Sequence, residues 1–196
     1  MVDNKLSALL KELEQFGEEN DADVKDRSQK MLNITADTGE FLLLLIRALK
    51  AKRVLEIGTS NGYSTLWLAQ AVRPLGGKVT TLEISPFKAG MARANLARSG
   101  LQEWVNSNLV DAGEFIKRQA ESSFDFVFLD SDREQYVSWW RDLQRILITG
   151  GLLVVDNAVS HPHEMEDFVR AVRQARDCIT SLVPVGKVEF LVFKER

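Results

Sequence analysis

Cysteine is nearly absent from this chain: Cys178 stands alone among 196 residues. A single thiol builds neither a disulfide framework nor a cysteine-based metal site, and it suits a reducing compartment. Runs of basic residues are also lacking, and the formal net charge is only -3. Nothing electrostatic therefore favours nucleic acid or a membrane surface as the main partner. The longest apolar run, Phe41 to Ile46, is far too short to span a bilayer. No basic stretch followed by an apolar segment marks the N-terminus, so a cytoplasmic location is expected. Internal repeats and low-complexity segments are missing as well.

What remains is an ordinary globular composition, 45% apolar and 27% charged, sufficient for one α/β domain with a full core. Leu6, Leu9, Leu10, Leu13 and Phe16 recur at helical spacing and are followed by the polar stretch Glu18 to Arg27, so residues 1–30 read as an accessory helix and linker ahead of a domain over 31–196. Asp37 and Glu40 read as a capping pair for the helix containing Phe41 to Ile46, which is expected to be buried on most sides, against the sheet or a second copy in a homodimer. From Arg53 onward β-like runs (53–57, 78–84, 105–110, 124–129, 152–156) alternate with helical ones (62–72, 86–98, 112–120, 134–147, and from Ser160 and Pro162 to about Cys178). Two final β runs, 179–184 and 187–193, flank Gly186 as a hairpin. This alternation predicts a doubly wound, Rossmann-like α/β sheet, mostly parallel with an antiparallel C-terminal hairpin and helices on both faces.

The most informative segment is Val54 to Ser64. It joins a β run to a helix through Gly58 and Gly62, where backbone N–H groups can approach a ligand and the helix directs its positive end. Glu56, inside this motif, suits a ligand bearing ammonium and sulfonium charges better than a phosphate. In such a sheet the carboxyl ends of the strands line one crevice, and here they carry Glu56, Glu83, Asp111, Asp130 and Asp156. Singly, each reads as a turn or cap residue; five in register point to a functional crevice. Glu83 is placed to accept both hydroxyls of a ribose. A nicotinamide dehydrogenase is disfavoured because the glycines follow G-x-x-x-G and Glu56 sits where a pyrophosphate would lie.

These residues resemble the class I, S-adenosylmethionine-dependent O-methyltransferases related to catechol and caffeoyl-CoA O-methyltransferases. The resemblance runs from about Met31 to Lys194, through Glu56-Ile57-Gly58-Thr59 with Gly62-Tyr63-Ser64, then Phe128-Leu129-Asp130-Ser131-Asp132 with Tyr136, and Gly150-Gly151 followed by Asp156-Asn157. It implies that Glu56, Gly58, Thr59 and Ser64 surround the methionine part of S-adenosylmethionine, that Glu83 holds the ribose, that Asp111 and Ala112 meet the adenine edge, that Ile34 contacts the cofactor through its backbone, and that Gly62, Tyr63 and Asp130 belong to the same cofactor site.

Asp130, Asp156 and Asn157 supply three hard oxygen donors from adjacent strand ends, the type that Mg2+ or another divalent cation takes. The competing reading of Asp156-Asn157 is an Asx turn. The resemblance implies that two vicinal oxygens of a catechol-like substrate complete the coordination, with the ion lowering the hydroxyl pKa. One departure matters: after the first aspartate the family carries D-x-D-K-x-x-Y, and this chain has Arg133 in place of the lysine. Arginine cannot accept a proton but can stabilise a phenolate, which leaves His161 or His163 as candidate proton acceptors. The early helix after Asn157 implies an open substrate mouth. Trp139 and Trp140 diverge on their helix, so core or subunit packing is expected of them. The sequence thus points to transfer of a methyl group to a hydroxyl of a small aromatic acceptor. The alternatives are a methyltransferase of a hydroxylated tRNA base, and a metal-free or non-catalytic member of the fold.

Overall fold

Short runs rich in valine, leucine and phenylalanine alternate with helical segments, and the computed structural model, which describes residues 4–159 and 162–195, folds them into one seven-stranded sheet. Its strands are β1 (Arg53–Ile57), β2 (Lys78–Glu83), β3 (Val105–Leu109), β4 (Phe124–Leu129), β5 (Leu147–Val155), β6 (Cys178–Val183) and β7 (Glu189–Lys194). The order is β3-β2-β1-β4-β5-β7-β6. The first five are parallel, and β7 runs antiparallel between β5 and β6. The chain winds outward in both directions from β1 and β4, so the crevice between them opens at the strands' carboxyl ends.

Among the described residues seven α-helices cover the sheet: α1 (Asn4–Asp23), α2 (Ala36–Leu49), α3 (Tyr63–Val72), α4 (Pro86–Ser99), α5 (Ala112–Arg118), α6 (Tyr136–Ile146) and α7 (Pro162–Gln174). The period-2 alternation of the strands sorts side chains between two cores. Val54, Phe126, Phe128 and Val154 face α1, α2 and α3, whereas Leu55, Ile57, Val127, Leu129 and Val155 face α6 and α7. The N-terminal helix is part of the first core, through Leu6, Leu9, Leu10 and Leu13. Trp140 is buried edge-on against Phe168, with ring centroids 5.9 Å apart, so its part is core packing. Among the described residues no helix is long and apolar enough to cross a membrane.

Several boundaries differ from the sequence expectation. α1 continues to Asp23, through part of the expected linker. α2 is not buried on most sides: Leu42 and Ile46 are fully buried while Leu44 is 62% exposed. One i, i+4 stripe meets α3 and the opposite face is left bare. Asp37 does not form a box with Glu40; its carboxylate accepts the N–H of Gly186, 3.0 Å away in the β6–β7 turn. β5 begins at Leu147, five residues before the expected start, because pairing with β4 resumes at Phe124 beyond a bulge. α7 stops at Gln174, since Cys178 is taken into β6 opposite Lys194.

Two local features position the crevice. Glu56 is wholly buried and accepts hydrogen bonds from Ser64 Oγ (2.6 Å), Thr65 Oγ1 (2.5 Å) and Thr81 Oγ1 (2.6 Å), tying β1 to α3 and β2. Gly58, at φ +107°, lies so close to the strand beside it that a Cβ would collide with the Asp130 carbonyl oxygen. Only glycine lets the β1–α3 loop cross the end of β4 here.

Burial pushes the Glu56 carboxyl up to about 7 from 4.5, against the pull of the three hydroxyls. The folded chain then holds a proton that the unfolded chain releases, so this group's contribution to stability is complete below about 4.5 and is lost as pH rises through about 7. Urea titrations across that window should show Glu56→Gln losing less stability than the wild type, by up to about 1.4 kcal/mol per pH unit. Equal slopes for the two proteins would contradict this account. Gly58→Ala should lower stability by about 2 kcal/mol or more in the same assay, because backbone must shift to admit the methyl group.

Candidate functional site

The β1–α3 loop is held over the sheet edge by its backbone. Gly58 and Thr59 N–H groups donate to the Leu82 carbonyl at 3.1 and 3.2 Å, and the Asp130 N–H donates to the Ile57 carbonyl at 3.0 Å. Glu83 closes β2 and binds the loop: its Oε2 accepts from the Ser60 N–H at 2.8 Å, and its Oε1 accepts from Ile84 and Ser85 N–H groups. Ser60 Oγ in turn donates to the Met31 carbonyl at 2.8 Å. Asp21, near the end of α1, accepts the Met31 and Leu32 N–H groups at 2.7 and 2.8 Å. The segment between α1 and α2 is thereby drawn onto the sheet edge.

A cleft of about 700 Å³ results. One end is walled by Arg27, Ser28, Met31, Leu32, Ser60, Glu83 and Lys88, and Gly58 borders it. The other end has Asp130, Ser131, Asp132, Arg133, Glu134, Asn157, Glu164 and Lys187. The loop after β4 is shaped by Tyr136, whose buried hydroxyl accepts the Ser131 N–H at 2.7 Å, which accounts for the tyrosine of the D-x-D-x-x-x-Y pattern. Burial pushes this phenol upward, so it stays protonated.

Asp130 and Asp156 end adjacent strands, the Asp156 N–H bonding the Leu129 carbonyl at 3.0 Å. Burial raises both carboxyls, Asp130 well above the ordinary range, and the charge of Asp156 pushes Asp130 further in the same direction. Asn157, at φ +58°, donates its side-chain N–H to Asp156. A third carboxylate joins them from β7: Glu189 is hydrogen-bonded to Asp156, accepts Thr38 Oγ1 at 3.0 Å and is pushed up to about 9 by burial and the Asp156 charge. The Arg133 guanidinium is buried with Nη1 3.8 Å from Glu164, and it opposes the rise at Asp130 and Asp156, as does Lys187. Among the described residues no group of three or more His, Cys, Asp or Glu side chains is arranged to hold a metal ion.

The structure thus brings Gly58, Glu83, Asp130, Asn157 and Arg133 to one cleft and leaves other expected residues off its wall. Glu56, Thr59 and Ser64 are buried and hydrogen-bonded into the scaffold, and the Glu56 carboxylate, expected to face a cationic ligand, is engaged by the chain's own hydroxyls. Tyr63 and Ile34 pack in the first core, with Met31 and Leu32 on the cleft wall instead. Gly62 caps α3 in a left-handed conformation beneath Ala92. Asp111 is an exposed N-cap of α5, its Oδ1 accepting the Glu114 N–H at 2.9 Å, and Ala112 begins that helix. Asp156 lies behind Asn157 and is itself buried. His163 is exposed beside Val159 and Glu166 in a separate depression, which removes it from the crevice. His161 lies outside the described residues.

Sequence reasoning missed Arg27 and Ser28, since a polar linker carries no periodic signal. It also missed Lys187 and Glu189. Their signal was topological: β6 runs parallel to β5, so the turn after it returns to the carboxyl edge.

The sequence profile of the O-methyltransferase family matches residues 3–182. A catechol O-methyltransferase of Mycobacterium tuberculosis is 41% identical over 126 residues, 64% of this chain and 57% of the relative, so the chain spans little more than half of that protein's length. A catechol O-methyltransferase of Niastella koreensis is 32% identical over 81% of this chain and 72% of its own length. Among solved structures, the O-methyltransferase TomG of Streptomyces achromogenes, in complex with S-adenosylmethionine, superimposes with a TM-score of 0.79 at 26% identity, covering 99% of this chain and 91% of that one. A cleft built at the carboxyl edge from a glycine loop and acidic strand ends, on a sheet shared with these proteins, places this chain in the O-methyltransferase family.

Proposed function

We propose that the chain transfers the methyl group of S-adenosylmethionine to a hydroxyl of a small aromatic vicinal diol, with a divalent cation at Asp130, Asp156 and Asn157. The observation that carries this reading is one continuous cleft that is lined by Glu83 and Gly58 as well as by Asp130 and Asn157, with Gly58 and Asp130 side by side in its wall. It has room for a nucleoside-sized cofactor and a compact acceptor together. Glu83 presents a carboxylate at the cofactor end, where ribose hydroxyls can donate to it alongside the loop N–H groups it already accepts. The bound cofactor in TomG supports the first half of the reading, and the catechol O-methyltransferase relatives support the second.

The donor set fits a hard dication. Asp156 is buried and Asp130 partly so, each carboxyl is raised, and their mutual repulsion is the kind that a bound cation relieves. The Asn157 amide oxygen adds a neutral donor. A divalent ion bound there supplies the Lewis acidity that lowers the pKa of an acceptor hydroxyl. The chain's own residues do the rest: Asp130 and Asn157 set the acceptor end of the cleft, the Tyr136 hydroxyl fixes the loop carrying Asp130, and the Arg133 guanidinium offers charge to a developing phenolate. A hydroxylated tRNA base is the weaker alternative, because Arg27, Lys88, Arg133 and Lys187 on the cleft wall are interleaved with Glu83, Asp130, Asp132, Glu134 and Glu164 and form no basic rim. The exposed Leu44 and Leu49 on α2 support a homodimer.

Calorimetry with S-adenosylmethionine should show Glu83→Ala binding weaker by about 1.5–3 kcal/mol, the size of a charge-assisted hydrogen bond to a sugar hydroxyl. Unchanged affinity would remove Glu83 from the cofactor site. Chelation should reduce methyl transfer to catechols by about 100-fold or more while cofactor affinity stays nearly constant. Undiminished turnover by metal-stripped protein in excess chelator would exclude the ion from the reaction.

A further inference from the structure

The β6–β7 turn adds Lys187 to the cleft wall that also carries Asp130, Arg133 and Asn157. Its charge acts on both Asp130 and Asp156, yet among the described residues Lys187 forms no ion pair within 4.0 Å. Arg133 differs, because its guanidinium already faces the Glu164 carboxylate at 3.8 Å. The turn bearing Lys187 is pinned on both sides. Gly186, at φ +56°, donates to Asp37 Oδ2 at 3.0 Å and packs on Thr38, where any Cβ would collide; the Val188 carbonyl accepts the Ala158 N–H at 3.0 Å. The lysine stem therefore springs from fixed backbone at the acceptor end.

An acceptor hydroxyl that ionises beside Asp130, Asp156 and the ion they would hold gains further stabilisation from a nearby cation, and a cation already facing a carboxylate offers less of it than one that forms no ion pair within 4.0 Å. We propose that Lys187 is a catalytic residue of the methyl transfer: its ammonium contacts the acceptor oxygen and stabilises the oxyanion. The inference rests on the aromatic O-methyltransferase reading above. In the step, an oxygen lone pair forms the bond to the methyl carbon, the carbon–sulfur bond breaks with its electron pair retained by sulfur, and the hydroxyl proton leaves to water. Lys187 stays protonated throughout and acts by charge and orientation.

The test uses 4-nitrocatechol, a vicinal diol whose absorbance reports ionisation, bound to the full chain with S-adenosylhomocysteine in place of the cofactor, together with methyl-transfer kinetics on the same acceptor. Lys187→Met should raise the apparent pKa of the bound chromophore by about one unit or more and lower kcat about 100-fold, with S-adenosylmethionine affinity within about twofold. Asp130, Glu164 and Arg133 on the cleft wall, and the buried Asp156 and Glu189, are the same in both proteins, so the difference reads Lys187 alone. Lys187→Arg should retain most of the activity, and adding Arg133→Lys to Lys187→Met should restore at least about tenfold in kcat if a second lysine can serve. Wild-type ionisation and kcat in Lys187→Met would overturn the proposal while leaving the methyltransferase reading intact. A wild-type protein that neither binds nor methylates any vicinal diol would overturn that reading, and the assignment of Lys187 with it.

Discussion

Everything at the carboxyl edge hangs on one buried carboxylate. Glu56 has no contact with water, and its oxygens accept hydroxyls from α3 and β2. A buried acid in this position is costly unless its hydrogen-bonding capacity is met or it carries a proton, and here both conditions operate. The consequence is geometric: β1, β2 and the first turn of α3 cannot move independently, so the loop from Gly58 to Gly62 has fixed ends. Glu83 then fastens the middle of that loop through the Ser60 N–H, and Gly58 lets it cross Asp130 at a distance that no side chain would permit.

The edge where β4, β5 and β7 meet is built on a different principle. Acidic groups converge there from three strands, Asp130 from β4, Asp156 from β5 and Glu189 from β7, and burial raises each of them. Their repulsion is moderated by Arg133 from the β4–α6 loop and Lys187 from the hairpin turn. The C-terminal hairpin is therefore more than a closure of the sheet. By reversing β7 between β5 and β6, it returns a turn to the carboxyl edge and carries Lys187 and Glu189 to the site, while the start of α2 grips that turn through Asp37 and Thr38.

The alternation of β and helical runs was legible because period 2 and period 3.6 leave different marks, and strands β1 to β4 were found within a residue or so. Boundaries failed where long-range pairing prevailed over local pattern: β5 begins early at Leu147 because β4 offers partners there, and α7 ends early because β7 claims Cys178. The strand-end carboxylates were readable as a set, yet their individual tasks were not. Asp111 caps a helix and Glu56 braces the scaffold, while Glu83 and Asp130 reach the cleft. A sequence shows which strand a carboxylate terminates and says nothing of whether neighbouring hydroxyls or N–H groups already occupy its oxygens.

By itself the sequence determined the doubly wound α/β class, the glycine turn after the first strand and the approach of Asp130 to Asp156, because all three follow from periodicity, backbone freedom and the rule that parallel strands end on one edge. Tertiary structure alone decided that Arg27 and Ser28 of the inter-helix segment wall the cleft, that Tyr63 and Ile34 turn into the core, that Lys187 joins the cleft wall and that Glu189 meets Asp156. Those placements depend on contacts between segments as much as 151 residues apart, such as Thr38 with Glu189, which leave no local pattern because the two side chains meet only after the sheet has closed between them.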